Sequence, residues 1–570
     1  MTGSAQPCPL PGPGHAMQAN AESLDHLELI LLMLLTFVAG FTVLARRIGV
    51  PYPIVLVIGG LMVSFIPRVP RISLNPDVVF LIFLPPLLFS ASLQISWRDF
   101  RNNLLSLLLL AFGLVGFTIY GVAVTTKSVL PGFTWKLGLV LGAVVATTDA
   151  IAATSTAKRL GLPRSITDLL EAESLLNDGS GLVALNFTTA MLVTGVTPSL
   201  AEGAARLLYL IVAAFAIGLL IGMVVRLLQT RISDAPVEIT ITVMAAYVTY
   251  LAAEAAHCSG VLATIACGLY LGRHSSGVYS LKARMESEAF WNTLDFILNG
   301  LVFLLLGLQL PAILSDIRGI GTRQLIWDGI LFSAIVIVLR LIWVFPAAWL
   351  SGQVQQRLWK GTRKTGSSAA FALLRGQVAI GEPRRVFLVG WAGMRGVLAL
   401  TAAISLPTKL ADGSPFPQRS LIIFLAFCVI FATLVLQGLS MPWLIRRLGL
   451  GGSSETKEDE LLARRQMMNA AIRFLEDRKR VAPEDKDAAD VLESYYRREL
   501  GLFEKYDSAK DGHDLSRSKA WRLRTLAQDA RSVERSVALQ LRRDERIHDE
   551  VLRRLERELD WLDARFEEAE

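Results

Sequence analysis

Long apolar segments recur through most of this chain and limit what it can fold into. Runs of about 18 or more apolar residues, enough to cross about 30 Å of hydrocarbon as a helix, recur between about Leu27 and Ile445. No water-soluble core accommodates so many apolar helices. Since 52% of the residues are hydrophobic, the sequence predicts an all-α polytopic membrane protein.

The apolar segments divide into about thirteen predicted transmembrane helices. They cover residues 27–44, 52–67, 78–95, 103–126, 136–157, 169–194, 206–229, 237–255, 258–273, 290–310, 326–350, 386–407 and 420–445. The transmembrane domain is therefore expected over residues 26–447. Residues 1–25, rich in Pro, Gly and Ala, are expected to be a disordered leader and not a cleaved signal peptide, because they lack a basic region and a cleavage site.

Basic residues are concentrated in alternate loops, and this distribution predicts the orientation. If the N-terminus is outside, the inner loops carry Arg46, Arg47, Lys158 and Arg159 among others. The outer loops then hold about half as many Lys and Arg, as the positive-inside rule requires. We expect a multi-pass protein of the inner (plasma) membrane, and the odd number of spans places the C-terminus in the cytoplasm.

The composition changes after the last span to charged and helix-forming residues. Residues 453–570 are predicted to form a cytoplasmic helical tail, which either packs within the protein or regulates it. One apolar stripe is spaced for a helix face. It comprises Val551, Leu555, Leu559, Leu562 and Phe566.

Charge and cysteine content indicate neither a nucleic-acid partner nor a cofactor. The net charge is +7, but the basic residues lie mainly in loops and tail, where they set topology. The four cysteines are scattered, with no Cys-x-x-Cys and no adjacent histidine pattern. A zinc site or a disulfide framework is therefore not expected.

Ionisable residues deep in apolar spans are the candidate functional residues, since each costs at least about 2.5 to 3.5 kcal/mol at the centre of a helix. Asp149 lies near the middle of the fifth span, after Thr147 and Thr148. Adjacent threonines with small neighbours favour a stretch where backbone carbonyls leave the helix and face an ion.

The sixth span carries a second polar group. Ser174 and Asp178 are four residues apart and share one helix face, and Glu173 and Asn177 share the neighbouring face. Such hard oxygen ligands suit Na+, Li+ or a proton. Since burial raises the pKa of a carboxyl group, Asp178 is predicted to hold either a proton or a cation, which is the minimal requirement of an antiporter.

Two arginines are also buried in predicted spans. Arg395 stands among three glycines in the twelfth span, a pattern that predicts a broken helix with a cation at the break. It is the predicted partner of Glu173. Arg340 lies deep in the eleventh span and is a second predicted buried cation. The alternative interpretation is that it anchors helix ends or backbone carbonyls.

Five motifs together resemble the bacterial NhaP-type Na+/H+ antiporters, which belong to the monovalent cation:proton antiporter family with the animal Na+/H+ exchangers. Their order and spacing span the whole predicted membrane domain. The motifs are Phe83-Leu84-Pro85-Pro86-Leu87-Leu88-Phe89, Thr147-Thr148-Asp149, Glu173-Ser174-Leu175-Leu176-Asn177-Asp178-Gly179, Phe303-Leu304-Leu305-Leu306-Gly307-Leu308 and Gly393-Met394-Arg395-Gly396.

The resemblance implies an inverted-repeat fold with two crossing unwound helices, alternating access and a homodimer. By resemblance, Asp178 carries the ion and the proton, and a Na+ ion binds at Asp178, Ser174 and the Thr148 carbonyl. Asp149 supports this site directly or through water. Glu173 would pair with Arg395, and Asn177 would hold the geometry of the crossover.

Two details bear on stoichiometry and selectivity. Asn177-Asp178 stands where electrogenic relatives have Asp-Asp, which suggests electroneutral exchange of one Na+ for one H+. Ser90 stands where many relatives have a carboxylate after Pro-Pro-Leu-Leu-Phe, so the site is one charge weaker if that carboxylate binds the cation. Exchange of K+, or of monovalent cations broadly, is therefore the nearer alternative.

Two other function classes are weaker alternatives. A channel also has polar helix breaks, but this sequence shows no repeated filter-like loops. An intramembrane aspartyl protease would pair Asp149 with Asp178 as a dyad, but the surrounding Ser, Asn and Thr favour ion binding over peptide cleavage. Neither an enzyme nor a channel is the predicted function.

Overall fold

The computed structural model describes residues 13–66, 76–195, 199–232, 234–278, 281–317, 321–365, 382–451, 455–481, 486–508 and short stretches between 532 and 544. The chain divides into two compact units, Met1–Ser453 and Ser454–Glu570. Each unit is described separately below.

The first unit is built from helices that follow the apolar segments of the sequence. They are α1 (Pro13–Ile48), α2 (Tyr52–Ser64), α3 (Pro76–Gln94), α4 (Trp97–Asn102), α5 (Leu104–Val129), α6 (Trp135–Val144), α7 (Ile151–Arg159), α8 (Arg164–Thr194), α9 (Leu200–Gln229), α10 (Ala235–Ala255), α11 (Gly260–Val278), α12 (Leu281–Leu308), α13 (Leu310–Ser315), α14 (Thr322–Thr365), α15 (Pro383–Trp391), α16 (Val397–Ile404) and α17 (Arg419–Leu448).

Each predicted span coincides with one helix or with a pair of short helices. The all-helical fold class is thereby confirmed. Within the described residues, eight helical segments are both long and apolar enough to cross a membrane. The number of spans, about thirteen, stays a prediction for the shorter and interrupted helices.

The outer helices expose apolar side chains in a way that suits lipid. On α9, Leu208 is 63% and Leu220 is 64% exposed, and on α14 Trp349 is 67% exposed. A water-soluble protein rarely leaves such continuous apolar surface uncovered. These faces therefore fit the hydrocarbon interior of a bilayer.

Helix α8 lies at the centre of this unit. It contacts α3, α5, α6, α7, α11 and both α15 and α16. Two of its glycines permit close approach: a Cβ on Gly179 would lie 2.4 Å from Leu262 Cδ2, and one on Gly181 would lie 2.7 Å from Thr147 Cγ2. These glycines therefore admit neighbouring segments directly against α8.

A glycine pair also brings α2 against α12. A Cβ on Gly60 would lie 2.4 Å from the Leu304 carbonyl oxygen, and a Cβ on Gly307 would lie 2.3 Å from the Val57 carbonyl oxygen. The two backbones thus pack directly on each other. This contact accounts for the glycine in the motif around Phe303.

The N-terminal leader differs from the prediction. The structure has helix from Pro13, continuous with the first span, so the expected disorder of residues 1–25 is corrected over residues 13–25. The sequence from Ala16 to Glu28 is rich in Ala, Met, Gln, Leu and Glu, which are strong helix formers. Residues 1–12 lie outside the described residues.

In the described part of the second unit, α18 (Glu455–Val481) and α19 (Lys486–Ser508) pack on each other. Ile472 and Leu475 on α18 and Ala489 on α19 are buried. Lys479 forms ion pairs with Asp490 and Glu493 across the two helices. The apolar stripe predicted from Val551 to Phe566 lies outside the described residues.

Candidate functional site

Two of the helical spans are interrupted where the sequence predicted unwinding. In the first, α6 ends at Val144 and α7 begins at Ile151. In the second, α15 ends at Trp391 and α16 begins at Val397. Each interruption leaves backbone N–H and carbonyl groups without intrahelical partners.

The two interruptions meet in space. The backbone N–H of Asp149 donates a hydrogen bond to the Met394 carbonyl at 2.8 Å. Gly396 is required there, because a Cβ on it would lie 2.5 Å from the Asp149 carboxylate. The predicted pair of crossing unwound segments is therefore present, and the crossing joins Asp149 to the motif around Arg395.

Arg395 holds the carbonyl end of the first interruption. Its Nη1 donates to the carbonyls of Ala146 at 2.6 Å and Thr147 at 2.9 Å. These carbonyls extend from the C-terminal end of α6, where the helix dipole favours a positive charge. Arg395 is 1% exposed, so its charge interacts with groups inside the protein and not with water.

The predicted ion pair between Glu173 and Arg395 is wrong, because Arg340 is the partner. Arg340 Nη1 lies 2.6 Å from Glu173 Oε1, and both side chains are 2% exposed. The remaining nitrogens of Arg340 donate to the carbonyls of Gly390 at 3.0 Å and Val389 at 3.1 Å, which end α15. Arg340 thus caps the second interruption as Arg395 caps the first.

The glycines around Arg395 explain how Arg340 reaches Glu173. A Cβ on Gly393 would lie 1.8 Å from Arg340 Nε, so Gly393 leaves the room through which the guanidinium passes. Arg395 meanwhile points at the first interruption. The glycines around Arg395 predicted a broken helix, and one of them, Gly393, also makes room for Arg340.

Ser174 and Asn177 connect α8 to the first interruption. Ser174 Oγ donates to the Thr148 carbonyl at 2.5 Å and accepts from the Ala150 N–H at 3.2 Å. Asn177 Nδ2 donates to Thr148 Oγ1 at 2.9 Å and to Glu173 Oε1 at 3.2 Å. The structure therefore brings two of the three predicted Na+ ligands, Ser174 and Thr148, into direct contact.

Asp178 lies one turn beyond Ser174 and is 8% exposed. Its Oδ1 is buried and has no hydrogen-bond partner among the described residues. It interacts electrostatically with Asp149 and Arg395. A buried carboxylate oxygen without a protein partner is costly unless it holds a proton or a cation.

Asp178 and Asp149 line one cavity of about 270 Å³, together with Ser174, Thr147 and Thr148. Ala150 and Ile151 at the N-terminal end of α7, and Val397 at that of α16, also line it. Asp149 Oδ1 accepts a hydrogen bond from the Ile151 N–H at 2.9 Å. The predicted site residues thus surround a space large enough for a hydrated monovalent cation.

Two further carboxylates line this cavity but were not predicted as site residues: Glu171, which is paired with Lys158, and Asp295. Asp295 on α12 also lines it, and its Oδ2 accepts a hydrogen bond from Ser90 Oγ at 2.5 Å. Ser90 is the position where a carboxylate was expected from the resemblance. Asp295 was detectable as an acidic residue within the apolar span 290–310.

Comparison with known proteins places the chain in a family. A family model described as sodium/hydrogen exchanger, transmembrane, matches residues 33–447, which contain every segment of the site. The chain belongs to the sodium/hydrogen exchanger family. It is therefore a multi-pass membrane protein of a cation/proton antiporter family, whose members are transporters and not enzymes, and the predicted resemblance is confirmed.

Three relatives show how far the similarity extends. An uncharacterized Na+/H+ exchanger of Mycobacterium tuberculosis is 32% identical over 94% of this chain and 95% of its own length. A sodium, potassium, lithium and rubidium/H+ antiporter of Bacillus pumilus is 32% identical over 83% of this chain and 69% of its own length. A Na+/H+ antiporter of Aphanothece halophytica is 30% identical over 75% of each chain.

A solved structure supports the fold. The sodium proton antiporter of Methanocaldococcus jannaschii superposes with a TM-score of 0.57 at 18% sequence identity, over 75% of this chain and 100% of that one. At this identity the likeness shows the fold alone. The antiporter fold predicted from the resemblance is confirmed.

Proposed function

We propose that this protein exchanges Na+ or Li+ for H+ by alternating access, with Asp178 carrying either the proton or the cation. One observation carries the proposal: Asp178, whose Oδ1 has no hydrogen-bond partner among the described residues, lines a cavity where two interrupted helices cross. Since a buried carboxylate needs a positive partner or a proton, the two ions compete for one group.

The binding step follows from the contacts around Ser174. In the structure its hydroxyl proton is directed to the Thr148 carbonyl. When Na+ arrives, rotation of that hydroxyl frees both the Ser174 oxygen and the Thr148 carbonyl oxygen for the cation, and Asp178 releases its proton and supplies the charge. Asp149 supports this arrangement directly or through water.

The proposed stoichiometry is one Na+ for one H+. Asn177, the residue before Asp178, is neutral, and its amide is engaged by Thr148 and Glu173. It therefore holds the crossover and carries no ion. An exchange of one charge for one charge avoids the membrane-potential contribution of about 2.3 kcal/mol per charge per 100 mV.

Exchange of K+ or of monovalent cations broadly is the second candidate. It is favoured by the similarity to the Bacillus pumilus relative, a sodium, potassium, lithium and rubidium/H+ antiporter. The ligand set of carboxylate, hydroxyl and carbonyl oxygens suits all of these hard cations.

The proposal includes the setting of the protein. We place it in the inner membrane as a homodimer, with the N-terminus outside and the tail in the cytoplasm. The basic loop residues and the positive-inside rule support the orientation. Crosslinking of single-cysteine variants and labelling of loops from either side test both points.

Reconstitution in liposomes with a trapped pH dye tests the exchange. A proton gradient is imposed, and Na+, Li+ or K+ is added with and without a clamp on the membrane potential. We expect Na+ and Li+ to dissipate the gradient equally in both conditions. Dissipation by K+ would favour the broad cation exchanger, and a dependence on the clamp would contradict the 1:1 stoichiometry.

Asp178→Asn tests the carrier assignment. An amide cannot release a proton and supply a charge, so we expect no exchange from a protein that is still folded. Asp328→Asn is the matched control, since Asp328 is also a buried carboxylate on a span but does not line the cavity. Retained exchange in Asp178→Asn would refute the assignment.

A further inference from the structure

Asp295 is a half-buried acidic residue of the cavity that the proposed exchange at Asp178 does not use. It lies on α12, whereas Asp178 lies on α8 and Asp149 lies between α6 and α7. One of its oxygens, Oδ2, accepts from Ser90. The other, Oδ1, is buried and has no hydrogen-bond partner in the described part of the chain.

Ser90 holds this carboxylate from behind. Ser90 is fully buried and, unlike Asp295, is absent from the lining of the cavity. Its hydroxyl therefore holds Oδ2, and Oδ1 is left without a protein donor among the described residues. Asn299, one helical turn further along α12, lines the same cavity and offers an amide oxygen.

Asp295 and Asp178 line the cavity from different helices, α12 and α8. Among the described residues, no three acidic, histidine or cysteine side chains lie close enough together to hold one metal ion. The three aspartates of the cavity therefore do not share one coordination shell. A cation held at Asp295 occupies a second position within the same 270 Å³ space.

We propose that Asp295, positioned by Ser90 and assisted by Asn299, is a second monovalent-cation-binding position that captures the cation before it reaches Asp178. The inference rests on the proposed exchange at Asp178. Negative charge beside a narrow low-dielectric cavity raises the local concentration of cations. A carboxylate bound to one fixed hydroxyl, with its other oxygen free, provides this charge without a competing protein cation.

The position also explains Ser90. A carboxylate was expected at position 90 from the resemblance, and its absence suggested a site weaker by one charge. The structure instead places a carboxylate of a different helix 2.5 Å from the Ser90 hydroxyl. The charge is present in the cavity, and it is supplied by α12 instead of α3.

Asp295→Asn removes the charge and keeps the shape. The asparagine amide oxygen can still accept from Ser90, so a purely structural role predicts no change in cation affinity. Loss of a charged ligand predicts about a tenfold rise in the apparent KM for Na+ at fixed pH, with the maximal rate within about twofold of wild type. Asp328→Asn serves as the matched control and is expected to leave both values unchanged.

Ser90→Ala provides the second variant. It keeps the charge but frees Oδ2, and we expect a smaller rise in KM, about threefold, again with the maximal rate retained. Asp295→Glu, which keeps the charge, should retain an affinity closer to wild type than Asp295→Asn. Binding of radioactive 22Na+ to purified Asp178→Asn and to Asp178→Asn/Asp295→Asn isolates the second position from transport, and only the first variant should retain weak binding.

The outcomes separate the two proposals. If wild type exchanges no monovalent cation for protons, the proposed function fails. If wild type exchanges Na+ and Asp295→Asn keeps its KM within twofold, only the second position is refuted. A fall in maximal rate with unchanged KM would also overturn it, because that result assigns Asp295 to the conformational step instead of cation capture.

Discussion

Replacing Arg340 with methionine should destabilise the protein strongly, because it leaves the Glu173 carboxylate buried without a positive partner. Both side chains are 2% exposed, and their closest atoms are 2.6 Å apart. Removing one member of such a buried pair costs about 3 to 5 kcal/mol. The carbonyls of Gly390 and Val389 also lose their donors, which adds to the effect.

A double-mutant cycle identifies the pair. Glu173→Gln, Arg340→Met and the double variant are unfolded in mixed micelles at increasing SDS mole fraction, and the free energies of unfolding are compared. We expect a coupling of about 2 to 3 kcal/mol, since the double variant no longer contains an unpaired charge. The contacts of Arg340 with backbone carbonyls are lost in both Arg340→Met and the double variant, so they cancel in the coupling energy.

Arg395 supplies the matched control for this cycle. Its guanidinium donates to backbone carbonyls and acts on Glu173 only through space. The coupling between Glu173→Gln and Arg395→Met should therefore be smaller, at most about 1 kcal/mol. A larger coupling to Arg395 than to Arg340 would refute the pairing seen in the structure.

Two further variants test the crossing and the tail. Gly396→Ala should abolish exchange in the liposome assay, because its Cβ would lie 2.5 Å from the Asp149 carboxylate. The control Gly116→Ala, whose Cβ would have nothing within 4 Å, should transport normally. Normal exchange in Gly396→Ala would contradict the crossing. Hydrogen bonds from the Lys479 ammonium and the Arg497 guanidinium hold the pKa of Glu493 below its ordinary value. Glu493 therefore stabilises the hairpin formed by α18 and α19 above about pH 4.3. This stabilisation is lost as the pH falls through the lowered pKa. Amide hydrogen exchange corrected for intrinsic rates should show faster opening of the hairpin in Glu493→Gln at pH 7, and equal opening of both proteins at low pH; equal opening at pH 7 would contradict this contribution.

The helix interruptions were predictable because their causes are local. Threonines and an aspartate at mid-depth, or three glycines around an arginine, disfavour an uninterrupted apolar helix. The same local logic located Ser174 and Asp178 on one face of α8. Residues four apart on a helix are neighbours whatever the rest of the fold does.

The partner of Glu173 was not predictable in this way. Glu173 and Arg340 are 167 positions apart, and helical periodicity shows which residues share a face but not which other helix meets that face. Two buried arginines were available. The one chosen by resemblance turned out to serve the carbonyls of Ala146 and Thr147.

Asp295 was missed for a different reason. Its immediate neighbours, Leu294, Phe296 and Ile297, are apolar, and the polar residue that shares its helix face, Asn299, lies four residues further on. The cost of an ionisable residue inside an apolar span was the available signal. Its partner Ser90 lies 205 positions away, and only the packing of α12 against α3 brings them together.

The two buried arginines bear on the proposed binding of a cation in the cavity. At each interruption the carbonyl end of the first half-helix is neutralised by an arginine, Arg395 for α6 and Arg340 for α15. Arg340 is also matched by Glu173. The positive charges are thus fixed on backbone dipoles and one carboxylate, as the helix macrodipole favours. Asp178 and Asp295 are left without a positive side chain bound to either of them in the described residues, and in the proposed exchange a proton or a monovalent cation from solution provides that charge.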